Sequence, residues 1–487
     1  MLYDFSTGRE KIRSIYDFCI CESGAAGIAL ANKLANAGKT VILLEGGGRE
    51  YSSESQKLYE ATTSGFWPDY LTNFTRLRFL GGTTNHWAGR CKPFVEHDFE
   101  QKPGFALPGW PIPFSEMERY LEPAMEILDL DTKLGFYDSF ETPIRSNSFE
   151  PDPFQLSAPT RFAQKYAVFL NSHRNIDVFV NANVTHLQAA PNGRILHVDA
   201  SDFSLNKKSI NAGAYVLAMG AIENPRLLLH SSDIYSRGIG NASDMVGRCF
   251  MEHYNVQIGE FAANSAVWNG KSIMNFFPVV DFLKEFDIGA SNLYFRILDE
   301  RGGRQNGRLA PLKYMLQDLS CDFDLSESLQ FLFAHQCAGL GIITSLTEQE
   351  PNLDSRVSLT ETRDDLGMKK CHLHISMSDY DRNTIRKLSS RLAKEMAQAN
   401  VGRIKLADFI LDETKEILAV PHAHHMGTTR MAAEPEHGVV DKNTKVFGID
   451  NLYIAGASVF PTGGGNNPTL PLVQLTLRLA DHLLTAS

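Results

Sequence analysis

The sequence predicts a mixed α/β and α+β fold, in which a discontinuous domain of βαβ type surrounds a second domain built on an antiparallel sheet. Three observations predict it. A strand–glycine turn–helix–strand unit lies near the N-terminus, at residues 16–48. Strands and helices of the same kind return from about residue 177 and again at the C-terminus. Between them, at about 257–419, short strands are grouped apart from any βαβ unit, which is typical of a separate antiparallel sheet.

Composition and charge argue against several classes of protein. At 487 residues and 43% hydrophobic, the chain is long enough for about two or three domains with sizeable cores. The net charge of −10 and the lack of a basic block argue against a nucleic-acid partner. The chain holds no run of about 18 apolar residues, so we expect no membrane span. The N-terminal residues lack the apolar core of a signal peptide, and the seven cysteines are irregularly spaced. We therefore expect a cytoplasmic protein without a disulfide framework.

The first βαβ unit carries most of a dinucleotide-binding motif. Gly24 and Gly27 occupy the last two glycine positions of a Rossmann-like GxGxxG loop. The former lets backbone approach a pyrophosphate, and the latter lets the helix pack closely on the sheet. Glu45 follows Gly27 by 18 residues at the end of the second strand, where a carboxylate can accept ribose hydroxyls. The predicted elements are a strand at 18–21, a helix at 25–37 and a strand at 40–44.

The motif departs from its pattern at the first position, which Glu22 occupies instead of glycine. A carboxylate there lies near the expected diphosphate, and like charges repel. Two outcomes are open: either the side chain turns away, or nucleotide binding is weakened. An ordinary βαβ unit without a nucleotide also remains open on this stretch alone.

Two later segments add polar turns to this domain. Residues 76–93 contain the run GGTTNHW, which is typical of a tight turn. This turn is either a surface loop or a loop laid against a flat ring, with Asn85, His86 and Trp87 close to that ring. Strands are predicted at 178–180, 184–187 and 215–219, followed by a helix at 220–231. The glycine turn that opens this helix places its N-terminus where it can face a phosphate or a ring.

The middle segment has a different character, because polar and charged stretches interrupt its candidate strands. The strands are predicted at 272–280, 289–298, 357–359 and 371–377, and a long amphipathic helix is predicted at 381–400. Aromatic side chains in this segment either line a substrate pocket or fill a core. They are Trp268, Phe276, Phe277, Tyr294, Phe295, Phe331 and Phe333.

The C-terminal stretch holds the candidate chemistry. His422, His424 and His425 lie beside a Gly-Thr turn in the run PHAHHMGTTRM. A strand at 452–454, a glycine-rich loop and an amphipathic helix from near Pro468 follow. The histidines are open to interpretation as a general base or as a metal site. No cysteine or carboxylate falls near them at ligand spacing, which argues against a metal.

Several motifs follow one another along nearly the whole chain. They are ESGAAG with Glu45, GGTTNHW, GWPI, GAIENPRLLL, VGRCFMEH, DSRVSL, HHMGTTRM and NLYIAGASVFPTGGGNNPT. In this order they resemble the glucose-methanol-choline (GMC) family of FAD-dependent oxidoreductases, nearest the branches of the pyranose oxidases and glycoside 3-oxidases. The resemblance implies a discontinuous Rossmann-like FAD-binding domain at 1–255 and 420–487, with a substrate-binding domain at 256–419.

The resemblance also implies roles for single residues. The family's catalytic histidine precedes its Gly-Thr turn in an HxxGT pattern, which falls on His424, and its partner falls on Asn467. His425 adjoins the catalytic position, and this alignment alone separates the two. His253 is expected to be a structural residue where the domains meet. The residues implied to border the FAD are Ser23, Gly24, Ala26, Gly27, Glu45, Gly82, Thr83, Asn85, His86, Trp87, Val184, Gly220, Gly456, Ala457, Asn467, Pro468 and Thr469.

The mode of FAD attachment depends on His86. It directly precedes a tryptophan, as does the histidine that binds flavin covalently in one related branch. Many relatives carry the same pair without the bond. Non-covalent FAD is therefore the expectation, and a covalent link through His86 stays open.

The implied reaction is the oxidation of an alcohol group, CH–OH to C=O, on a sugar, glycoside or similar polyol. A neutral imidazole, with a reference pKa of about 6.5, is suited to accept the hydroxyl proton while hydride passes to flavin N5. An amide such as Asn467 cannot titrate, so it orients the substrate oxygen without competing as a base. The helix beyond Pro468 directs its positive end to the flavin N1/O2 edge, where reduction places negative charge.

Two other functions remain open beside this one. The first is a flavin-retaining lyase of the same family, which uses the histidine for acid–base chemistry only. The second is a non-catalytic flavin-binding protein, which the carboxylate of Glu22 keeps open. The exact substrate, the electron acceptor (oxygen or another) and the oligomeric state are not fixed by the sequence.

Overall fold

The computed structural model describes residues 1–8, 12–133, 146–152, 154–263, 273–297 and 340–486. Within them the chain is a mixed α/β structure with five sheets. None of the helices in these ranges is long and apolar enough to cross a membrane. Three of the candidate pocket aromatics lie outside the described residues, namely Trp268, Phe331 and Phe333. One end of each of the strands predicted at 272–280 and 289–298 also lies outside them.

A six-stranded parallel sheet brings together the N-terminus, the middle and the C-terminus of the chain. Its order is Leu2–Asp4, Ile176–Val180, Val41–Leu44, Tyr16–Cys21, Ala212–Leu217 and Leu452–Ile454. Helices Ala25–Asn36 and Thr469–Ala486 pack together over it through apolar side chains. Parallel sheets need such cover because their strands are apolar on both faces. The strands predicted for this sheet are present, with ends that differ by at most three residues.

The strand predicted at 184–187 does not belong to the parallel sheet. It is part of Asn183–Ala190, which pairs with Arg194–Ser201 in an antiparallel hairpin, and Lys207–Ile210 adds a third strand. The hairpin is inserted between two strands of the parallel sheet. Its strand pattern did not reveal its partners, because strand pairing depends on packing against neighbours in space.

The other half is built on a seven-stranded antiparallel sheet. Its strands lie in the order Gly402–Leu406, Tyr254–Ala263, Leu340–Thr347, Ser291–Ile297, Ile273–Pro278 and Phe149–Pro151, with Val420–Pro421 also paired to Tyr254–Ala263. Helix Asp379–Gln398 packs on this sheet. It begins at Ser378, whose hydroxyl accepts from the Asp381 N–H while the Asp381 carboxylate accepts from the Ser378 N–H. Three of the predicted aromatics fill this core: Phe276, Phe277 and Phe295.

Of two further sheets, the three-stranded one joins the first part of the chain to the middle segment, and the two-stranded one lies within the first part. Ala61–Gly65 pairs in parallel with Lys369–Ile375, which pairs antiparallel with Arg356–Arg363. Arg90–Cys91 pairs with Gln155–Leu156. The other described helices are Ser53–Lys57, Glu96–Phe99, Ser115–Glu118, Leu121–Ile127, Phe162–Lys165, Ala167–Ser172, Gly220–His230, Val280–Phe286 and Asp408–Leu411, with 3-10 turns at Phe5–Thr7, Gly82–Asn85 and Ala457–Val459.

Candidate active site

A cavity of about 400 Å³ lies at the carboxyl ends of three strands of the parallel sheet. Three residues that line it, Glu22, Ala218 and Ala455, each directly follow a strand of that sheet. In open α/β sheets, ligands bind in the crevice outside the carboxyl ends of the strands. The volume also falls within the usual range of small-molecule sites. The position and size of this cavity therefore suit a cofactor or a substrate.

Most of the residues implied to border the cofactor line this cavity. They are Gly24, Ala26, Gly82, Thr83, His86, Trp87, Gly220, Gly456, Ala457, Asn467, Pro468 and Thr469, together with His424 and His425. Those that do not line it are Ser23, Gly27, Glu45, Asn85 and Val184. The Asn85 amide donates to the carbonyls of Leu80 and Gly82, at 3.0 and 2.9 Å, so it shapes the loop instead. Val184 lines a smaller neighbouring cavity, together with Glu22.

Glycines allow three backbone segments to meet at one end of the cavity. A Cβ on Gly27 would lie 2.0 Å from the carbonyl oxygen of Glu22, so this helix contact requires glycine. A Cβ on Gly82 would lie 3.2 Å from Gly24 Cα, and Gly82 has a φ of +53°. No side chain caps the N-terminus of helix Ala25–Asn36. Its first N–H groups are therefore available to an anionic ligand.

Glu22 has a φ of +79°, in the left-handed region where glycine is the usual residue. Its carboxyl group is buried and is hydrogen-bonded to Glu45. Burial, and then the charge of Glu45, hold the pKa of Glu22 well above its usual range. Glu45 also accepts from Ser23 N–H at 3.2 Å, from Ser23 Oγ–H at 2.5 Å and from Gly47 N–H at 2.8 Å. The nearby charge of Arg78 opposes this shift in the pKa of Glu22. The raised pKa favours a protonated Glu22, which can donate to Glu45 and so remove the repulsion between the two carboxyl groups.

The second half of the GGTTNHW loop is held in place by hydrogen bonds to residues that do not line the cavity. The Trp87 indole N–H donates to the Thr160 carbonyl at 2.9 Å. Arg161 donates to the carbonyls of Thr84 and Trp87, at 2.7 and 3.2 Å. Burial, with the nearby charge of Arg161, lowers the pKa of His86. The His86 ring is therefore neutral near pH 7, at the edge of the cavity.

The imidazole of His424 is held at both nitrogens. Its Nε2 lies 2.9 Å from Asn467 Nδ2, so the two residues paired from the sequence are in contact. Its Nδ1 lies 2.9 Å from Nδ1 of His253. The Nε2 of His253 lies 2.7 Å from the carbonyl oxygen of Gly464. These contacts form a chain from a backbone carbonyl to the wall of the cavity.

Chemistry allows only one direction for each hydrogen bond of this chain. A carbonyl oxygen only accepts, so the Nε2 of His253 carries the proton towards Gly464. Burial lowers the pKa of His253 to about 4, so the ring is neutral and its Nδ1 accepts. His424 therefore donates through Nδ1, and its Nε2 holds a lone pair that faces the Asn467 amide. Burial, followed by the charges of the neighbouring histidines, also lowers the pKa of His424 well below its usual value.

The two other histidines of the cluster have different partners. His425 Nε2 lies 2.5 Å from the Tyr70 hydroxyl oxygen, whose proton is donated to Glu252 Oε2 at 2.8 Å. When Glu252 is ionised, His425 Nε2 therefore carries a proton and has no lone pair to offer a substrate. The His422 ring lies 4.6 Å from the His424 ring. Across the described ranges, no group of three histidine, cysteine or acidic side chains is arranged to hold a metal ion.

Glu252 fixes the turn that carries these histidines. Its Oε1 accepts from the backbone N–H groups of His424, at 2.6 Å, and His253, at 3.0 Å. Burial raises the pKa of this carboxyl group to about 7. The turn contains Ala423 at a φ of +62°, a conformation that is costly for a residue with a Cβ. The Glu252 carboxyl group thus stabilises a strained turn that orients His424.

The N-termini of two helices border the cavity at different places. One belongs to Ala25–Asn36 and the other to Thr469–Ala486. Each presents the positive end of its dipole to the cavity. Gly456, at a φ of +113°, brings bare backbone to the same wall. This cradle fits a cofactor that has a diphosphate at one end and a ring that gains negative charge at the other.

Three residues of the site were not identified from the sequence. They are Tyr70, Glu252 and His253. The last was expected to be a structural residue where the domains meet, and the structure adds that its ring contacts His424. The run FMEHYN did carry a signal, since two adjacent titratable residues stand between apolar ones. Fully buried glutamate and histidine side chains are uncommon outside paired or functional positions.

Comparisons with known proteins agree with one another. Residues 351–476 match the family model of GMC oxidoreductase. The chain is 25% identical to 6'''-hydroxyparomomycin C oxidase of Streptomyces lividus, over 96% of this chain and 92% of the relative. It is 24% identical to the fructose dehydrogenase large subunit of Gluconobacter japonicus, over 96% and 97%. A formate oxidase of Aspergillus oryzae RIB40, solved in a study of FAD modification, has a TM-score of 0.60 and 17% identity over 98% and 99% of the two chains. That structure shares the fold.

Proposed function

Because the chain belongs to the GMC oxidoreductases, we propose that it oxidises an alcohol group, CH–OH to C=O, on a sugar, glycoside or related polyol with FAD as its cofactor. The relatives support a sugar-like substrate, since one is named for 6'''-hydroxyparomomycin C and another for fructose. One is an oxidase and the other a dehydrogenase, so the proposal extends to the alcohol and not to the electron acceptor.

The observation that carries this proposal is the lone pair of His424 Nε2. It faces the cavity and the Asn467 amide, while Nδ1 of the same ring is committed to His253. A base for an alcohol proton must be unprotonated, in reach of the hydroxyl and fixed in tautomer. The neighbours of His424 keep its ring unprotonated at Nε2 and fix its tautomer. Its place on the cavity wall supports its reach to a substrate hydroxyl.

FAD would be held by backbone and by helix N-termini more than by charged side chains. Gly24 and the N-terminus of helix Ala25–Asn36 suit the pyrophosphate, and Asn467, Pro468 and Thr469 suit the ring end. When bound, FAD supplies the acceptor for the hydride that leaves the alcohol carbon. We expect the cofactor to be non-covalent, although His86 lies at the cavity edge.

The chain's own residues handle the proton. His424 Nε2 takes the hydroxyl proton, and the Asn467 amide donates to the substrate oxygen and holds it in line. The positive charge that His424 gains is shared with His253, whose Nδ1 accepts from His424. The Glu252 carboxyl group keeps the turn in place during this transfer.

The proposed domain organisation follows from the same cofactor. We propose that residues 1–255 and 420–487 form a discontinuous Rossmann-like FAD-binding domain and that 256–419 bind the substrate. The parallel sheet, which draws strands from both ends of the chain, supports the first part. Two short strands before residue 255, Ala61–Gly65 and Phe149–Pro151, pair with strands of the middle segment, so the domains are interleaved.

Anaerobic flavin reduction tests the function. The purified protein, loaded with FAD, is mixed with sugars, glycosides and polyols, and bleaching of the flavin is followed. In His424→Ala we expect full FAD content and a reduction rate lower by about 10²- to 10⁴-fold, the usual contribution of a general base. His437→Ala removes an exposed histidine that does not line the cavity and is the matched control. Substrate conversion without flavin bleaching would instead indicate a lyase.

A further inference from the structure

Arg90 lines the same cavity as His424, on the short strand Arg90–Cys91. Its guanidinium carbon lies 3.7 Å from the ring centroid of Phe154 and 4.4 Å from that of Tyr294. Stacking on aromatic rings restricts the planar group to one orientation. Arg90 therefore presents its N–H donors as a fixed fork and not as a mobile surface charge.

Arg90 shares its nearby carboxylate with a second cation. Among the described residues, Asp152 provides the one carboxylate oxygen within 4.0 Å, and this Oδ2 is 3.9 Å away. Asp152 is buried and is already bound by Lys92 Nζ and by the Asn292 amide. Burial lowers the pKa of Lys92 to about 8, and the Arg90 charge contributes to this although two acidic groups oppose it. Two cations thus compete for one carboxylate.

Most of the hydrogen-bonding capacity of Arg90 is unused within the described part of the chain. Its Nη2 lies 3.5 Å from Asn292 Oδ1, the one hydrogen bond that its side chain makes there. A guanidinium has five N–H donors in a planar arrangement that matches the two oxygens of a carboxylate. Arg90 therefore has free N–H donors for an anionic group, and that group would have to come from a ligand.

Arg90 lines the cavity together with His422 and His424. After burial, its charge is the cause that lowers the pKa of His422. The His422 ring lies 4.6 Å from that of His424. On the other side, Asn292, which Arg90 contacts, donates to Asn466 Oδ1 at 3.3 Å. Arg90 and the candidate base thus border the same cavity, which a single ligand can occupy.

The other charged side chains along the cavity are compensated. Arg76 Nη1 lies 2.7 Å from Glu223 Oε1. Burial and the charge of Glu45 raise the pKa of Glu22, which favours its neutral form. Among the described residues that line the cavity, Arg90 is therefore the charge that is least compensated.

We propose that the alcohol substrate carries a carboxylate and that Arg90 binds this group, so that the substrate is a sugar acid and not a neutral sugar or an amino sugar. This inference rests on the proposed oxidation of a sugar-like alcohol. It further specifies that the substrate is negatively charged and that Arg90 is the residue that selects it.

Binding, measured apart from turnover, tests the proposal. Isothermal titration of the FAD-loaded protein compares D-glucuronate, D-glucose and D-glucosamine, which differ in charge on a common ring. We expect D-glucuronate to bind at least about tenfold more tightly than D-glucose, because hydrogen bonds between charged groups are stronger than those between neutral ones. D-glucosamine should bind more weakly than either. Arg90→Met, which keeps the apolar length of the side chain, should abolish the preference.

Controls and contrary outcomes are defined by the same titrations. Arg119→Met removes an exposed arginine outside the cavity and should keep the preference for D-glucuronate. If Arg90→Met does not fold, Arg90→Lys keeps the charge, loses the fork and should lose most of the preference. Equal affinity for the three sugars, no detectable binding of D-glucuronate, or a preference that survives in the Arg90 variants overturns the proposal. Binding of D-glucuronate without flavin reduction upholds the carboxylate site and counts only against the proposed oxidation.

Discussion

His253 Nδ1 lies 2.9 Å from His424 Nδ1, and the Gly464 carbonyl sets the direction of this hydrogen bond by accepting a hydrogen bond from His253 Nε2–H. Neutral imidazole can carry its proton on either nitrogen, and only one of these tautomers leaves His424 Nε2 free for a substrate. His253 selects that tautomer. It is therefore a positioning residue, which acts on the substrate only through His424.

Replacing His253 should slow the chemistry without removing the cofactor. In His253→Ala, we expect normal FAD content and a rate of alcohol-dependent flavin reduction lower by about 10²-fold or more. The reason is that the His424 ring can then carry its proton on Nε2, which removes the lone pair needed to accept the alcohol proton. His253→Gln should restore part of the rate, since its Oε1 can accept from His424 Nδ1. Stopped-flow reduction gives these rates. Full activity in His253→Ala contradicts the assignment. ¹⁵N NMR of labelled histidines offers a check independent of turnover, in which His424 should be protonated on Nδ1.

The pH dependence of flavin reduction should reflect the lowered pKa of His424. Burial and neighbouring histidines favour the neutral ring, so the base stays unprotonated to a lower pH than a free imidazole does. We expect the acid limb of the reduction rate to lie below the reference histidine pKa of about 6.5. Single-turnover rates measured from pH 5 to 8, at about half-unit steps, locate this limb. An acid limb centred above the reference value argues for a charged His424 in the resting enzyme.

Glu252 should make the protein less stable as pH rises. Its pKa is raised by burial to about 7 in the folded protein, so folding favours the protonated carboxyl group. The stabilisation is complete below the unfolded pKa of about 4.3 and is lost as pH rises through the folded value, at up to about 1.4 kcal/mol per pH unit. Glu252→Gln should flatten this part of the profile. Thermal midpoints at about pH 5 and 7 measure it, with the exposed Glu434→Gln as control. An unchanged slope in Glu252→Gln contradicts the role.

Glu22 should make FAD retention sensitive to alkaline pH. The buried carboxyl group is protonated while it donates to Glu45, and its raised pKa means that ionisation occurs only as pH rises. The ionised form would repel both Glu45 and the pyrophosphate. We expect the dissociation constant of FAD to increase from about pH 6 to 9 in the wild type and to stay nearly constant in Glu22→Gln. Fluorescence of released FAD reports it. The same rise in both proteins shows that Glu22 is not the titrating group.

Local sequence pattern predicted much of the fold. The strand at 452–454 was found with the same ends, and the helix predicted at 25–37 is Ala25–Asn36. Apolar residues at a period of two or of 3.6 report burial of one face, and this signal does not depend on distant contacts. The hairpin that starts at Asn183 was not recognised, because its pattern is that of a strand in either sheet. Pairing is a property of the folded chain.

The sequence by itself determined which residue types were available and in what order. It brought His424 and Asn467 together as a pair, 43 positions apart, through motif resemblance, and the structure places their side chains in contact. Only the tertiary structure decided the rest. The backbone of Met251 pairs with that of Met426, which sets His253 beside His424, and burial raises the pKa of Glu22, which its sequence position did not predict. Hydrogen-bond direction and protonation depend on which polar groups are in contact in the buried interior. These contacts join residues far apart in the sequence, so a local sequence pattern does not predict them.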